Sequence, residues 1–407
     1  MMRKIAALVA LLCLSACAGL NATAPRPAQP LILVSIDGFR ADYLKRGATP
    51  NLQALADGGA VAPNGMRPSF PSLTFPNHYT LVTGKVPDHT GIVANTMLDA
   101  NKPGVTFMMS NTDAVTDGTW WNQALPMWDS VVKAGGRSAV EFWPGSEAEV
   151  DGLRPTYFSH FDYHVTNEAR VDQVLAWMDL PADQRPNAYL LYFDIVDHQG
   201  HDFGPDSQEV TDAAASVDSA IGRLRDGLKA RGVTPNIIIV ADHGMSAISP
   251  DRAYFLEDYI PADSYVAVVT GPEAEINPVP GREAEVEKLT AMHFDHMQCW
   301  DKAKIPARLH YGQNPRVPAI VCLGDPGWLV DDTHAKGIGY KGGAHGYDPA
   351  SPDMAALFIT NGPDIKPGVK LAPFDNVDVY SLEMHLLHLK PEANDGSLGP
   401  LKPALAD

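Results

Sequence analysis

Basic residues are scarce in this 407-residue chain: Lys plus Arg number 31 against 49 Asp plus Glu, a formal charge of −18. Binding a nucleic-acid backbone needs a basic face, so the acidic balance argues against nucleic-acid polymers as partners. Long apolar runs are also scarce. Only residues 5–17 form one, which excludes a polytopic membrane protein. Gly occurs 34 times without a three-residue period, which excludes collagen. Hydrophobic residues are not scarce, at 45%, so the chain is not disordered. Its length allows one large α/β domain or two ordinary ones.

The single apolar run reads as an address. Met1-Met2-Arg3-Lys4 is a short basic start, Ile5 to Leu14 is apolar, and Leu14-Ser15-Ala16-Cys17 follows. That order is a secretory signal over residues 1–17, and its last four residues resemble a bacterial lipobox. Cys17 is then the lipidated first residue of a periplasmic, membrane-anchored lipoprotein. The rival reading is ordinary cleavage after Ala16-Cys17-Ala18. Residues 18–30 are rich in Ala and Pro and read as a tether, with the folded domain spanning 31–407. Outside the signal, Cys299 and Cys322 remain. In an oxidising compartment this pair is expected to form a disulfide.

Apolar runs that end in Asp or Gly recur along the domain. Leu31 to Ile36 precedes Asp37-Gly38, and Ala188 to Phe193 precedes Asp194. Ile237 to Ala241 precedes Asp242-His243-Gly244, and Ala355 to Thr360 precedes Asn361-Gly362. Near-continuous apolar strands belong to sheets covered on both faces. Helical patterns over 41–57, 76–83, 168–179 and 209–231 alternate with them. The alternation predicts an α/β fold: a central, mostly parallel sheet flanked by helices on both faces. Residues 245–340 are loop-rich with short strands.

In such sheets functional groups gather at the carboxyl ends of strands. There stand Asp37, Asp194 with His198, Asp242 with His243, and, within Gly343-Ala344-His345-Gly346, His345. Carboxylates mixed with imidazoles suit borderline divalent ions, zinc above all. Asp194 and His198 are four apart, so one helical turn puts both on one face. Asp197 and His201 have the same spacing, and spacing alone does not separate the two pairs. A lone Asp after a strand is ordinarily a turn or cap residue, and a lone His ordinarily has no special role. Several together at strand ends are harder to explain that way. His78, His89, His293, His296, His310 and His334 receive no role. In Ser69-Phe70-Pro71-Ser72-Leu73-Thr74-Phe75-Pro76-Asn77-His78, Pro76 fits the first turn of a helix that begins near Thr74. A hydroxyl there meets the positive end of the helix dipole and, beside a metal ion, becomes a competent nucleophile. Thr74 as a simple N-cap is the plain alternative, and Ser69 and Ser72 are rival nucleophiles.

Together these runs resemble the nucleotide pyrophosphatase/phosphodiesterase family of the alkaline phosphatase superfamily, in its bacterial type. Asp37-Gly38-Phe39-Arg40, Phe70 to His78, Gly91 to Asn95, Phe142-Trp143-Pro144-Gly145-Ser146, Asp194 to His198, Asp242-His243-Gly244 and Gly343 to Gly346 carry the resemblance, which spans about Leu31 to Tyr380. It implies an alkaline-phosphatase-like catalytic domain with two Zn2+ ions. One would be held by Asp194, His198 and His345. The other would be held by Asp37, Asp242, His243 and the nucleophile Thr74. Asn95 would bind a phosphoryl oxygen, and Phe75 and Tyr157, or its neighbour Phe158 in place of Tyr157, would stack on a base. The resemblance leaves Asp197 and His201 outside the ligand set. The implied reaction is hydrolysis of nucleotide phosphodiester and pyrophosphate bonds through a phospho-threonine, releasing nucleoside monophosphates.

Glu141 to Glu147 carries no cation where monoesterase relatives place Lys-x-Arg, which favours a monoanionic diester. The rivals are a phosphomonoesterase, a choline-headgroup phosphodiesterase, a sulfatase and, from another class, a non-catalytic surface lipoprotein. The sulfatase lacks support because Thr74-Phe75-Pro76-Asn77 has neither the Cys nor the Arg of that nucleophile motif. A choline cage would need Trp120, Trp121 and Trp143, which read as packing residues. The anchor is tested by palmitate labelling. Label should be incorporated and then lost in Cys17→Ala; a mature N-terminus at Gly19 would refute it.

Overall fold

In the computed structural model, which describes residues 29–335 and 340–406, the apolar runs become the centre of one sheet. The predicted signal, Cys17 and residues 18–28 of the tether lie outside the described residues. In chain order the strands are β1 (Leu31–Ile36), β2 (Ala60–Val61), β3 (Ser138–Glu141), β4 (Tyr157–Ser159), β5 (Ala188–Phe193) and β6 (Asn236–Val240). There follow β7 (Tyr265–Val269), β8 (Glu273–Pro278), β9 (Met297–Asp301), β10 (Ile320–Gly324), β11 (Phe358–Asn361) and β12 (Val369–Lys370). The eight-stranded main sheet has the order β12-β2-β11-β6-β1-β5-β3-β4. β1 pairs in parallel with both β5 and β6, and β3 does so with β5 and β4. β11 runs antiparallel to β6 and β2, so the sheet is mixed at that flank.

Every residue of β1, β5 and β6 is buried, which requires a helical layer on each face. The helices are α1 (Pro50–Asp57), α2 (Thr74–Thr83), α3 (Met127–Lys133), α4 (Asn167–Met178), α5 (Ile195–Phe203), α6 (Gln208–Ala230) and α7 (Val377–Leu386). They pack as two groups. α6 touches α1, α4 and α5, whereas α2, α3 and α7 touch one another. The helical pattern over 41–57 is broken in two. A 3-10 turn over Ala41–Arg46 ends at Gly47, with φ 75°, and α1 restarts at Pro50. A ring that cannot donate and a left-handed glycine together stop one helix and open the next.

The loop-rich stretch holds an antiparallel sheet in the order β7-β8-β10-β9. One of its faces has its own small core, including Leu256, Ile260, Ala274, Ile276 and Leu289. Val321 and Leu323, on the other face of β10, join the main core. The short alternating strands have little signal in the sequence because each side chain serves one of two different cores. Cys299 on β9 lies directly opposite Cys322 on β10, and the two are joined as a disulfide.

The bridge closes a loop of sequence separation 23, worth about 3 kcal/mol in the chain-entropy model. Cys299→Ala/Cys322→Ala should therefore unfold at distinctly lower temperature or denaturant, by roughly that amount. Unchanged denaturation curves would show that the bridge contributes nothing.

Candidate metal centre

The ends of β1, β5 and β6 lie side by side, so whatever follows them converges. Asp37 follows β1, α5 follows β5, and Asp242-His243 follows β6. His345 comes from far along the chain. Gly343–Ala344 pairs with Ser246–Ala247 and sets the His345 ring against that of His243, centroids 3.5 Å apart. Gly38 makes the crowding feasible. Its φ is +65°, and a Cβ there would meet Asp197 at 2.9 Å.

Two poles result. At the first, His243 Nε2 lies 2.9 Å from Asp242 Oδ2, 3.4 Å from Asp37 Oδ1 and 3.4 Å from the Thr74 hydroxyl. At the second, His345 Nε2 lies 3.1 Å from His201 Nε2 and 3.5 Å from Asp197 Oδ1. Asp197 Oδ2 is 3.4 Å from His201 Nε2. The structure thus brings Asp37, Thr74, Asp242, His243 and His345 together as the sequence suggests. It does not bring Asp194 and His198. Asp194 pairs with Arg170 at 2.7 Å, and the His198 ring is 66% exposed beside Asp202. Asp197 and His201 take their place. Both pairs have the same i, i+4 spacing, so helix phase decides between them. The inner face of α5 is marked by buried Gly200, where a Cβ would strike Met245 at 2.8 Å. Asp197 and His201 flank that contact. The glycine before His201 was the available sequence signal.

The donor set fits cations. His201, His243 and His345 each spend Nδ1 on a backbone carbonyl, of Gly343, Gly244 and Ser72 respectively, all at 2.9 Å. With Nδ1 turned to a carbonyl, each ring aims Nε2 into the cluster, the orientation of a metal-ligating imidazole. Asp37 Oδ1 and Asp197 Oδ1 are buried without a hydrogen-bond partner, and Asp242 Oδ2 has only the imidazoles of His243 and His78 beside it. Such atoms are costly unless a cation faces them. With protons alone, burial together with the Asp242 and Asp197 charges drives the Asp37 carboxyl well above its usual range. Burial and the neighbouring His243 and His201 push His345 well below the usual imidazole range.

A layer behind these donors fixes their aim. Tyr192 donates its hydroxyl to Asp37 Oδ2 at 2.6 Å, and the Gly38 amide donates to Asp242 Oδ1 at 3.2 Å. His78, unassigned from sequence, lies 3.3 Å from Asp242 Oδ2. It also bonds the Thr74 carbonyl at 2.9 Å and the Ser35 hydroxyl at 2.8 Å. Both of its nitrogens are engaged, and it forms a group with Asp37 and Asp242 whose donor atoms lie within 4.8 Å of one another.

Thr74 opens α2 as its first helical residue, and Leu73 is the N-cap. The threonine side chain is therefore free of capping duty. Ser69 and Ser72 are committed elsewhere, to Asn376 Oδ1 at 2.8 Å and the Tyr347 carbonyl at 2.7 Å. Asn95 accepts the Phe75 amide proton on Oδ1 at 2.9 Å, which leaves its NH2 as a donor beside the helix start.

A cavity of about 450 Å³ adjoins Thr74, with Phe75, Trp121, Trp143 and Phe161 among its walls. Trp121 and Trp143 are buried, and Trp120 packs against Phe107 with centroids 5.4 Å apart. Tyr157 is not a wall. Its hydroxyl bonds the Gln184 carbonyl, and its ring stacks on Trp177 with centroids 6.5 Å apart. Phe158 is not among the lining residues either. β4 carries both away, and the chain reaches the cavity only after the strand ends, at Phe161.

Residues 31–348 match the family model described as type I phosphodiesterase/nucleotide pyrophosphatase. An uncharacterized pyrophosphatase/phosphodiesterase of Schizosaccharomyces pombe is 39% identical over 90% of this chain and 78% of its own length. Ectonucleotide pyrophosphatase/phosphodiesterase family member 3 of Bos taurus is 36% identical over 91% of this chain, which spans only 43% of that protein. A venom phosphodiesterase of Crotalus durissus collilineatus is 37% identical over 91% of this chain and 46% of its own length. Among solved structures, murine ectonucleotide pyrophosphatase/phosphodiesterase 5, an inactive variant in complex with AMP, matches with a TM-score of 0.88 and 32% identity, over 93% of this chain and 100% of that one. These relatives are eukaryotic, so they lend nothing to a bacterial type. On the family match and the relatives' identity, the chain belongs to the type I phosphodiesterase/nucleotide pyrophosphatase family of the alkaline phosphatase superfamily.

Proposed function

We propose that this chain hydrolyses phosphodiester and pyrophosphate bonds of nucleotides and releases nucleoside monophosphates, with Thr74 as nucleophile. The observation that carries this reading is the Thr74 hydroxyl held between the acid–imidazole cluster and the aromatic cavity. Asp37, Asp242, His243 and Thr74 would hold one Zn2+, and Asp197, His201 and His345 a second. When bound, the two ions supply positive charge that offsets the phosphoryl oxygens and acidifies a nearby hydroxyl.

The chain's own groups do the rest. Asn95 donates its amide to a non-bridging oxygen, and the first turn of α2 offers backbone N–H groups to the same anion. Thr74 Oγ1 bonds phosphorus as the ester oxygen on the far side departs, which leaves a phospho-threonine. Water then attacks from the vacated side and frees the nucleoside monophosphate. Phe75 and Phe161 hold the base between them. The residues that line the cavity include neither Lys nor Arg, which suits a monoanionic diester better than a dianionic monoester. The Cys299–Cys322 bridge agrees with export to an oxidising compartment, and Cys17 remains our proposed lipid anchor.

Activity on bis-p-nitrophenyl phosphate should exceed that on the mono ester by at least about tenfold, and the reverse ratio would make the enzyme a monoesterase. Thr74→Ala should lower turnover by on the order of 10³-fold or more while zinc stays bound. Full activity in that variant ends the nucleophile assignment. His201→Ala should lose about one zinc equivalent by elemental analysis and most of its activity, whereas His198→Ala should keep both. The opposite pattern would restore the Asp194/His198 ligand set. Exhaustive chelation should inactivate the enzyme and zinc should revive it.

A further inference from the structure

Phe161, which lines the same cavity as Phe75, belongs to no regular element. β4 ends at Ser159 and α4 begins at Asn167. The Phe161 ring is 48% exposed and meets Phe142 and Tyr192 only edge-on, at centroid distances of 5.6 and 6.1 Å. Its backbone amide donates to a side chain, Glu147 Oε1, at 2.9 Å. The other carboxylate oxygen, Oε2, bonds Nδ1 of His160. One acid thus takes a bond from each of two successive residues of the wall.

Glu147 itself stands on firm ground. Its turn is closed by the Ser146 amide to the Trp143 carbonyl at 3.0 Å and the Ala148 amide to the Gly145 carbonyl at 3.2 Å. Gly145, at φ +88°, lies against Trp121, where a Cβ would strike the indole at 2.8 Å. The Glu147 side chain is only 23% exposed, while its partner His160 is 77% exposed. The fixed member is the acid and the free member is the segment it holds. An exposed aromatic on an irregular segment contributes to affinity only if it is held ready before the ligand arrives; otherwise binding has to order it.

We propose that Glu147 is the positioning residue of this wall. It clasps His160 and Phe161 so that the Phe161 ring stays at the cavity it shares with Phe75, and so sets the enzyme's preference for esters that carry a base. The inference rests on the reading of the cavity as the nucleoside site. Glu147 and His160 line the same cavity, and the hydrogen bonds of the Glu147 carboxylate go to the wall and not to the acid–imidazole cluster, so its effect belongs on KM.

The test compares two esters with one leaving group, thymidine 5′-p-nitrophenyl phosphate and methyl p-nitrophenyl phosphate, on the zinc-loaded full chain. Glu147→Ala should raise KM for the thymidine ester about tenfold, with kcat within about twofold, and lower kcat/KM for the methyl ester by no more than about twofold. Glu147→Gln keeps an oxygen acceptor for the Phe161 amide and should recover most of the loss. His160→Ala removes one arm and should give a smaller rise of the same kind; it keeps the test alive if Glu147→Ala does not fold. Equal losses on both esters, or no rise in KM in either the Glu147 or the His160 variant while Phe161→Ala does raise it, overturn the clasp and leave the cavity reading intact. No effect of Phe161→Ala on either ester overturns the cavity reading and the clasp with it.

Discussion

The crowding of carboxylate oxygens and imidazole nitrogens at the ends of three parallel strands is the constraint on which this structure turns. Asp37 and Asp242 each point a carboxylate oxygen at His243 Nε2, Asp197 points Oδ1 at His345 Nε2, and its Oδ2 faces His201 Nε2. Each ring is locked in that sense by a carbonyl behind it. In a low-dielectric interior such an arrangement is tolerable only with positive charge at its centre. That same charge is what a phosphoryl transfer needs, since the transition state spreads negative charge over several oxygens.

The sheet makes the arrangement affordable. Parallel neighbours β1, β5 and β6 deliver their final residues at one level, so Asp37, α5 and Asp242 start within reach of one another. Glycine at position 38 removes the one side chain that would block Asp197. Tyr192, Ser35 and His78 then absorb the outward-facing atoms of the acids and of the α2 start. Because these partners come from β5, β1 and α2, the ligand positions are tied to the most buried part of the molecule, and the threonine is tied to them through the His78 bond to its carbonyl.

The cavity has a different construction. Phe75 and Trp143 are anchored by α2 and by the Trp143 indole bond to the His78 carbonyl at 3.1 Å, so one side of the cavity shares the rigidity of the metal centre. The other side, around Phe161, is an irregular segment secured by a side chain. Rigid chemistry beside an adjustable wall is an economical way for one scaffold to keep a reaction while altering what it accepts.

From the sequence alone came the α/β class, the strand ends, the helix start at Thr74, the Cys299–Cys322 partnership and five of the clustered residues: Asp37, Thr74, Asp242, His243 and His345. The strands and the helix start are local facts, since apolar runs, glycine turns and proline at a helix start each record short-range physics; the choice of Thr74 over Ser69 and Ser72 came from the family resemblance, and the cysteine pair from the compartment. Tertiary structure decided the rest. It chose Asp197 and His201 over Asp194 and His198, because two pairs of identical spacing differ only in the phase of α5 against Met245. It put Phe161 in place of Tyr157, because where an irregular segment returns to a cavity is set by the side chain that holds it. It gave His78 a purpose, since a histidine four residues into a helix acquires one only when β1 and the end of β6 close around it.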